Sequence, residues 1–213
     1  MKEDLSNFRK VYNKSQINFN DLKDPFVLFE RWFKIAKNDK LIEEVNAMVL
    51  STIGNDEFPK GRVVLLKKIY LKGFVFFSNY NSEKGLSISK NNKVCLSFFW
   101  EEHERQVIIK GRAEKISDLK SKEYFNSRPR GSQLGAIVSD QSTVIDSKDE
   151  LVKKLHELEN KYINTSIPKP SHWGGYLVSP VEYEFWQGGE NRLHDRARFL
   201  YKNDNWIKDR LSP

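Results

Sequence analysis

The feature that most narrows what this chain can fold into is a succession of short runs in which apolar and polar residues alternate. "AMVLSTI" (47–53), "RVVLLKKIY" (62–70), "FVFFS" (74–78), "VCLSFFW" (94–100) and "RQVIIKGRAEKI" (105–116) follow one another. Turn-like breaks such as "GNDEFPKG" and "LKG" separate them. Period-two alternation punctuated by turn residues is the signature of antiparallel strands. One interruption, "SEKGLSISKNN", predicts a short helix, and the alternation resumes late in the chain at "YEFWQ", "RFLY" and "NWIKDR".

Helix signals lie around these runs. Asp24 as N-cap and Pro25 at the first helical position start one cleanly, with Phe26, Phe29, Phe33 and Ala36 on one face. Ser117 caps a second that runs to Arg128, where Pro129 ends it. A third starts at Ser147, with Glu150 completing a capping box and Leu151, Leu155, Leu158 and Tyr162 sharing a face. Residues 1–20 show little periodicity and read as a mobile arm. Residues 21–213 read as a single β-rich α+β domain, a barrel decorated by peripheral helices.

Composition excludes several classes. Charged residues at 31% against 38% hydrophobic point to a soluble globular chain. No apolar run approaches the roughly 20 residues of a spanning helix. The first residues lack the apolar middle of a secretory signal, so a cytoplasmic protein with no membrane partner is expected. Cys95 is the only cysteine, which rules out an internal disulfide and a thiolate cluster, and the histidines lack metal-ligand spacing, so no metal is expected. The net charge of +7 attracts anions. The basic residues are scattered among acidic ones, which favours small phosphate pockets over nucleic acid.

Four segments are candidates for such pockets. In "RVVLLK", strand alternation puts Arg62, Val64 and Leu66 on one face and Val63, Leu65 and Lys67 on the other. The two cations either reach out to solvent or grip two anionic groups at a barrel rim. In "NSEKG", Lys84 stands at a helix start, where exposed amides favour phosphate. In "YFNSRPRGSQ", Tyr124, Arg128 and Ser132 are spaced by four; this is either an ordinary helix end or a convergence of donors on one anion. In "EFWQGGENRLHDR", an extended 190–196 would line up Arg192, His194 and Arg196 on one face, toward solvent or a ligand. Gly188 and Gly189 permit a tight turn and close approach to a planar group, with Trp186 beside it.

Taken in order, "RVVLLK", "SEKG", "ERQV", "YFNSRPRGSQLGA", "SDQS", "WGGY", "EFWQGGENRLHDR" and "DRLSP" resemble the pyridoxamine/pyridoxine 5′-phosphate oxidase family over nearly the whole chain. The resemblance implies a split β-barrel that binds FMN at the interface of a homodimer. It implies oxidation of pyridoxine 5′-phosphate and pyridoxamine 5′-phosphate by way of FMN, with O2 as the final acceptor. Carried over by motif, Arg62, Val63, Val64, Leu65, Leu66 and Lys67 would line the flavin, with Arg62 and Lys84 near its phosphate. Phe77, Ser78, Gln106, Gln141, Ser142, Trp186 and Arg196 would complete the cofactor site. Lys67, Tyr124, Arg128 and Ser132 would hold the substrate phosphate, and Arg192 and His194 would face the substrate ring as the catalytic pair. Arg9 and Tyr12, in "FRKVY", would belong to a segment that closes over the substrate. One position departs from the family's usual arginine: Glu83, which either turns outward or weakens FMN binding. Two other readings remain open, a flavin barrel reducing a different substrate with a nicotinamide cofactor, and a non-catalytic binder of flavin, pyridoxal phosphate or RNA.

Overall fold

The computed structural model describes residues 4–7, 10–19, 22–54 and 56–213. Nine strands among them join one sheet in the order β2-β1-β5-β6-β7-β4-β3, with β8 paired to β7 and β9 to β8. These are β1 (Ala47–Ile53), β2 (Pro59–Leu65), β3 (Lys68–Tyr70), β4 (Gly73–Asn79), β5 (Lys93–Trp100), β6 (Arg105–Lys115), β7 (Trp173–Gln187), β8 (Asp195–Lys202) and β9 (Asn205–Leu211). Five α-helices accompany them: α1 (Pro25–Lys37), α2 (Glu83–Lys90), α3 (Asp118–Ser127), α4 (Arg130–Val138) and α5 (Lys148–Lys161). None is long and apolar enough to cross a membrane.

The chain forms two compact units, one drawn from Met1–Val49, Cys95–Lys110 and Pro180–Pro213, the other from Leu50–Val94 and Gly111–Ser179. In the first, α1 begins where expected, the Asp24 carboxylate accepting from the Phe26 amide with Pro25 following. Its buried face is centred on Leu28, Phe29, Trp32 and Ala36, and Phe26 and Phe33 lie at its margins. Phe29 meets Phe98 edge-on, and Trp32 does the same to Phe185. In the second unit, Phe125, Leu134, Ile167 and Trp173 form a cluster onto which Leu155, Leu158 and Tyr162 of the α5 region pack.

Strand β7 changes partner along its length. Residues 173–178 pair antiparallel with β4, and residues 182–187 pair antiparallel with β8. Pro180 falls between the two paired stretches, where its missing N–H costs neither ladder a bond.

Four expectations need correction. "RVVLLKKIY" is two strands, because alternation fails at Lys67 and Lys68, consecutive exposed cations, after Leu66 has turned inward. Pro129 ends α3 and also serves as the N-cap of α4, a helix the sequence did not suggest; a proline lacks only an N–H that a first turn leaves unused. Ser147 precedes α5, but its side chain makes no capping hydrogen bond. Finally, 190–196 is not extended. Glu190–Arg192 is a single 3₁₀ turn with Asn191 at φ 53° and Arg192 at φ 64°, and β8 starts only at Asp195. Arg192, His194 and Arg196 therefore do not share a strand face.

Candidate active site

In the second unit, β2, β4 and helices α2 to α4 surround a cavity of about 680 Å³. Val63, Val64, Leu65 and Lys67 line one side, with Phe77 and Ser78 from β4. Tyr124, Arg128, Ser132 and Trp173 line another, so the four-residue spacing does converge despite Pro129. The α3–α4 junction achieves this, since one helix ends and the next begins around the same opening.

Three rings lie nearly parallel in this wall. Phe77 stacks on Tyr124 with centroids 3.8 Å apart and on Trp173 at 5.4 Å. The Arg128 guanidinium carbon sits 4.6 Å from the centre of the Trp173 ring, an attraction of cation to π-face. One of its nitrogens, NH1, is buried and has no hydrogen-bond partner. Burial pulls this guanidinium below the usual arginine range, while the Tyr124 hydroxyl opposes the shift. Burial in turn pushes the Tyr124 hydroxyl up, with Arg128 opposing, so near neutrality it is an O–H donor beside a cation.

A second cationic group stands at the start of α2. Ser82 caps the helix, its hydroxyl accepting from the Gly85 amide at 3.3 Å. Gly85 allows α2 to lie against the chain at Tyr80, for a Cβ there would meet the Tyr80 carbonyl oxygen at 2.2 Å. Lys84 is only 9% exposed, and its Nζ donates to Gln141 Oε1 at 2.7 Å and Ser82 Oγ at 3.3 Å, both neutral acceptors. Burial, then the charge of Arg62, holds the Lys84 ammonium below its ordinary value. Arg62 donates through NH1 to the Leu50 carbonyl (3.1 Å) and to Thr52 Oγ1 (2.8 Å), but NH2 is buried and without a partner. Glu83 turns aside: both its oxygens accept from Lys60 Nζ, at 2.8 and 2.7 Å.

In the first unit, the β7–β8 connection gathers another set. The Gly189 amide donates to His194 Nδ1 at 3.1 Å. Tyr12 stands edge-on to Trp186 (5.6 Å) and to His194 (5.7 Å), and Trp186 and His194 are 4.8 Å apart. Gly188 permits this close approach, since a Cβ would lie 2.8 Å from the Tyr12 ring. The segment carrying Tyr12 is tied down by its backbone. The Lys14 amide donates to the buried Glu104 carboxylate (3.1 Å), and the Ile17 amide donates to Asp195 Oδ2 (3.0 Å). Arg105 reaches Ser15 Oγ at 3.3 Å, and the Lys14 ammonium donates to the Glu102 carbonyl.

The remaining sequence candidates lie as follows. Leu66 is buried, Ser142 lies beside Gln141 at φ 76°, and Gln106 is half-buried on β6. Arg196 is fixed by Glu184 Oε1, to which Nε and NH2 donate at 2.9 and 2.7 Å, and by the Ser212 carbonyl at 2.8 Å. Arg192 is exposed, and Arg9 lies outside the described residues. Trp173, Glu104 and Glu184 were not singled out, although each opens a quoted motif, "WGGY", "ERQV" and "EFWQGGENRLHDR".

A model of the pyridoxamine 5′-phosphate oxidase family matches residues 36–162, and a model of the pyridoxine 5′-phosphate oxidase C-terminal dimerisation region matches residues 173–213. A pyridoxine/pyridoxamine 5′-phosphate oxidase of Christiangramia forsetii is 52% identical, the match covering 100% of both chains. One of Flavobacterium johnsoniae is 56% identical over 98% of this chain and 99% of the relative. Among solved structures, PhzG of Burkholderia lata, crystallised with tetrahydrophenazine-1-carboxylic acid, superposes with a TM-score of 0.86 at 24% identity, covering 94% of this chain and 100% of that one. A pyridoxamine 5′-phosphate oxidase-related FMN-binding protein of Nostoc punctiforme gives 0.70 at 11% identity, covering 89% and 98%. The fold is the split β-barrel of these structures.

Proposed function

Because this chain belongs to the pyridoxine/pyridoxamine 5′-phosphate oxidase family and is an oxidoreductase, we propose that it binds FMN and converts pyridoxine 5′-phosphate and pyridoxamine 5′-phosphate to pyridoxal 5′-phosphate. The observation that carries this reading is a pair of buried guanidinium nitrogens without partners, Arg62 NH2 and Arg128 NH1, both in the unit that holds the cavity. A buried charged donor left unpaired is costly, and two of them call for two anions. The flavin and the substrate each bring a phosphate.

The residues present fit FMN. Arg62 and Lys84 hold its phosphate, with Gln141 and Ser142 alongside. Val63, Val64, Leu65, Leu66, Phe77 and Ser78 offer an apolar bed with one hydroxyl. By motif, Trp186, Gln106 and Arg196 are further cofactor positions, Arg196 being held in place by Glu184 and the Ser212 carbonyl. When bound, FMN would supply the redox chemistry, the two-electron oxidation of the substrate's 4′ carbon with O2 as final acceptor and hydrogen peroxide as product, the amine substrate also taking up water and releasing ammonia.

The protein's own part is binding and orientation. Arg128 offers a fork of donors to the substrate phosphate, and Tyr124, Ser132 and Lys67 add two hydroxyls and an ammonium. Because the Gly189 amide occupies Nδ1 of His194, a neutral His194 keeps its proton at Nε2, the nitrogen left to face the substrate. Arg192 faces the substrate ring, where its guanidinium can help stabilise charge that develops during the reaction. The protein works as a homodimer with FMN at the subunit interface, a reading supported by the match of residues 173–213 to a dimerisation-region model. Tyr12 belongs to the segment that covers the substrate.

The test is an absorbance spectrum of purified protein, followed by oxygen uptake with pyridoxine 5′-phosphate. A yellow, oxygen-consuming protein is expected. Colourless protein that stays inactive with added FMN overturns the proposal.

A further inference from the structure

Resting on the FMN reading above, we infer that the Lys60–Glu83 ion pair sets how tightly the flavin phosphate is held at Arg62 and Lys84, with Lys60 as the counter-charge that keeps Glu83 from opposing it.

Glu83 is the first residue of α2 and the immediate neighbour of Lys84. An acid there suits the helix dipole. A phosphate drawn to Arg62 and Lys84 would meet that same acid as a like charge. The Glu83 charge favours the protonated forms of both Arg62 and Lys84. What attracts those two cations repels a phosphate placed among them.

Lys60 changes that balance without entering the site. It stands two residues before Arg62 on β2, and its ammonium donates to both Glu83 oxygens. Its ammonium is held against the Glu83 carboxylate, so its main influence on a bound phosphate is to offset the Glu83 charge. The partners are 58% and 45% exposed. A pair so open to water adds little to folding stability. Its field acts on a neighbouring cation pair that is partly buried and less screened, so its effect falls on anion binding.

The test is a titration of apoprotein with FMN, read by quenching of flavin fluorescence, with riboflavin, which lacks the phosphate, as the second ligand. Lys60→Ala should raise the FMN Kd by about two- to fivefold, and Glu83→Gln should lower it by a similar factor. The double variant should return close to wild type, and high salt should shrink both single effects. Riboflavin affinity should be the same in all four proteins. Thermal unfolding of each apoprotein checks that both exposed positions leave the fold intact. FMN constants indistinguishable from wild type, or equal shifts with riboflavin, overturn the inference. Wild-type protein that binds no FMN would instead overturn the functional reading beneath it.

Discussion

The backbone amide of Gly189 donates to Nδ1 of His194 at 3.1 Å, so the turn before β8 selects one tautomer of a side chain five residues away. A ¹⁵N spectrum of labelled protein near neutral pH should place the proton of the neutral ring on Nε2. Gly189→Ala would bring a Cβ to 2.5 Å from the Leu193 carbonyl oxygen, forcing the turn to shift. Turnover should fall on the order of tenfold while FMN affinity stays unchanged. A proton on Nδ1, or full activity in the variant, contradicts this.

Arg128 should matter for substrate and not for cofactor. Its unpartnered NH1 and its seat over Trp173 give it a fixed fork that lysine cannot reproduce. Arg128→Lys should raise KM for pyridoxine 5′-phosphate by about 10- to 100-fold, the worth of a charge-assisted hydrogen bond or two. Steady-state kinetics beside an FMN titration will show it; a variant that loses flavin as readily as substrate would place Arg128 on the cofactor.

Lys84 should give the apoprotein an alkaline pH dependence. Burial and the charge of Arg62 hold its ammonium below the ordinary lysine value. Between its folded and unfolded values the unfolded chain binds more protons, so stability gains with rising pH across that window. Below the window Lys84 is charged in both states, and its burial costs stability in full. Lys84→Met should therefore raise the melting temperature of the apoprotein most near neutrality, and the advantage should shrink as pH climbs toward the lysine range. A difference that does not vary with pH would remove Lys84 as the cause.

Asp195 should hold the segment that carries Tyr12. Its carboxylate accepts from the Ile17 amide, while the Glu104 carboxylate accepts from that of Lys14. Asp195→Ala should speed proteolysis within residues 10–18 and raise KM about tenfold, the loss of one charge-assisted bond, with little change in kcat. An unaltered cleavage rate would show that the segment is held by other contacts.

The strands were legible because alternation is a local property, and α1 because Asp24-Pro25 is a local signal. The turn at Asn191 and Arg192 was not, since positive φ at two non-glycine residues follows from what the turn packs against. Pro129 misled for a related reason: the ring that stops α3 suits the opening of α4 equally well. The candidate site divides along the same line. Tyr124, Arg128 and Ser132 announced themselves by spacing, while the stack of Phe77, Tyr124 and Trp173 joins three distant segments and no local pattern encodes it. Arg196 looked ready for a ligand, yet its partner Glu184 is set by the β7–β8 register, in which Trp186 faces Arg196 and Glu184 lies on the diagonal.

The unpaired nitrogens of Arg62 and Arg128 also bear on how the protein is handled. Whatever anion is in the tube will compete for them. A preparation carried through phosphate buffer and one carried through an organic amine buffer are different chemical samples of the same chain. Unless the buffer anion is matched, a comparison of their melting curves or flavin content compares two loadings and not two proteins.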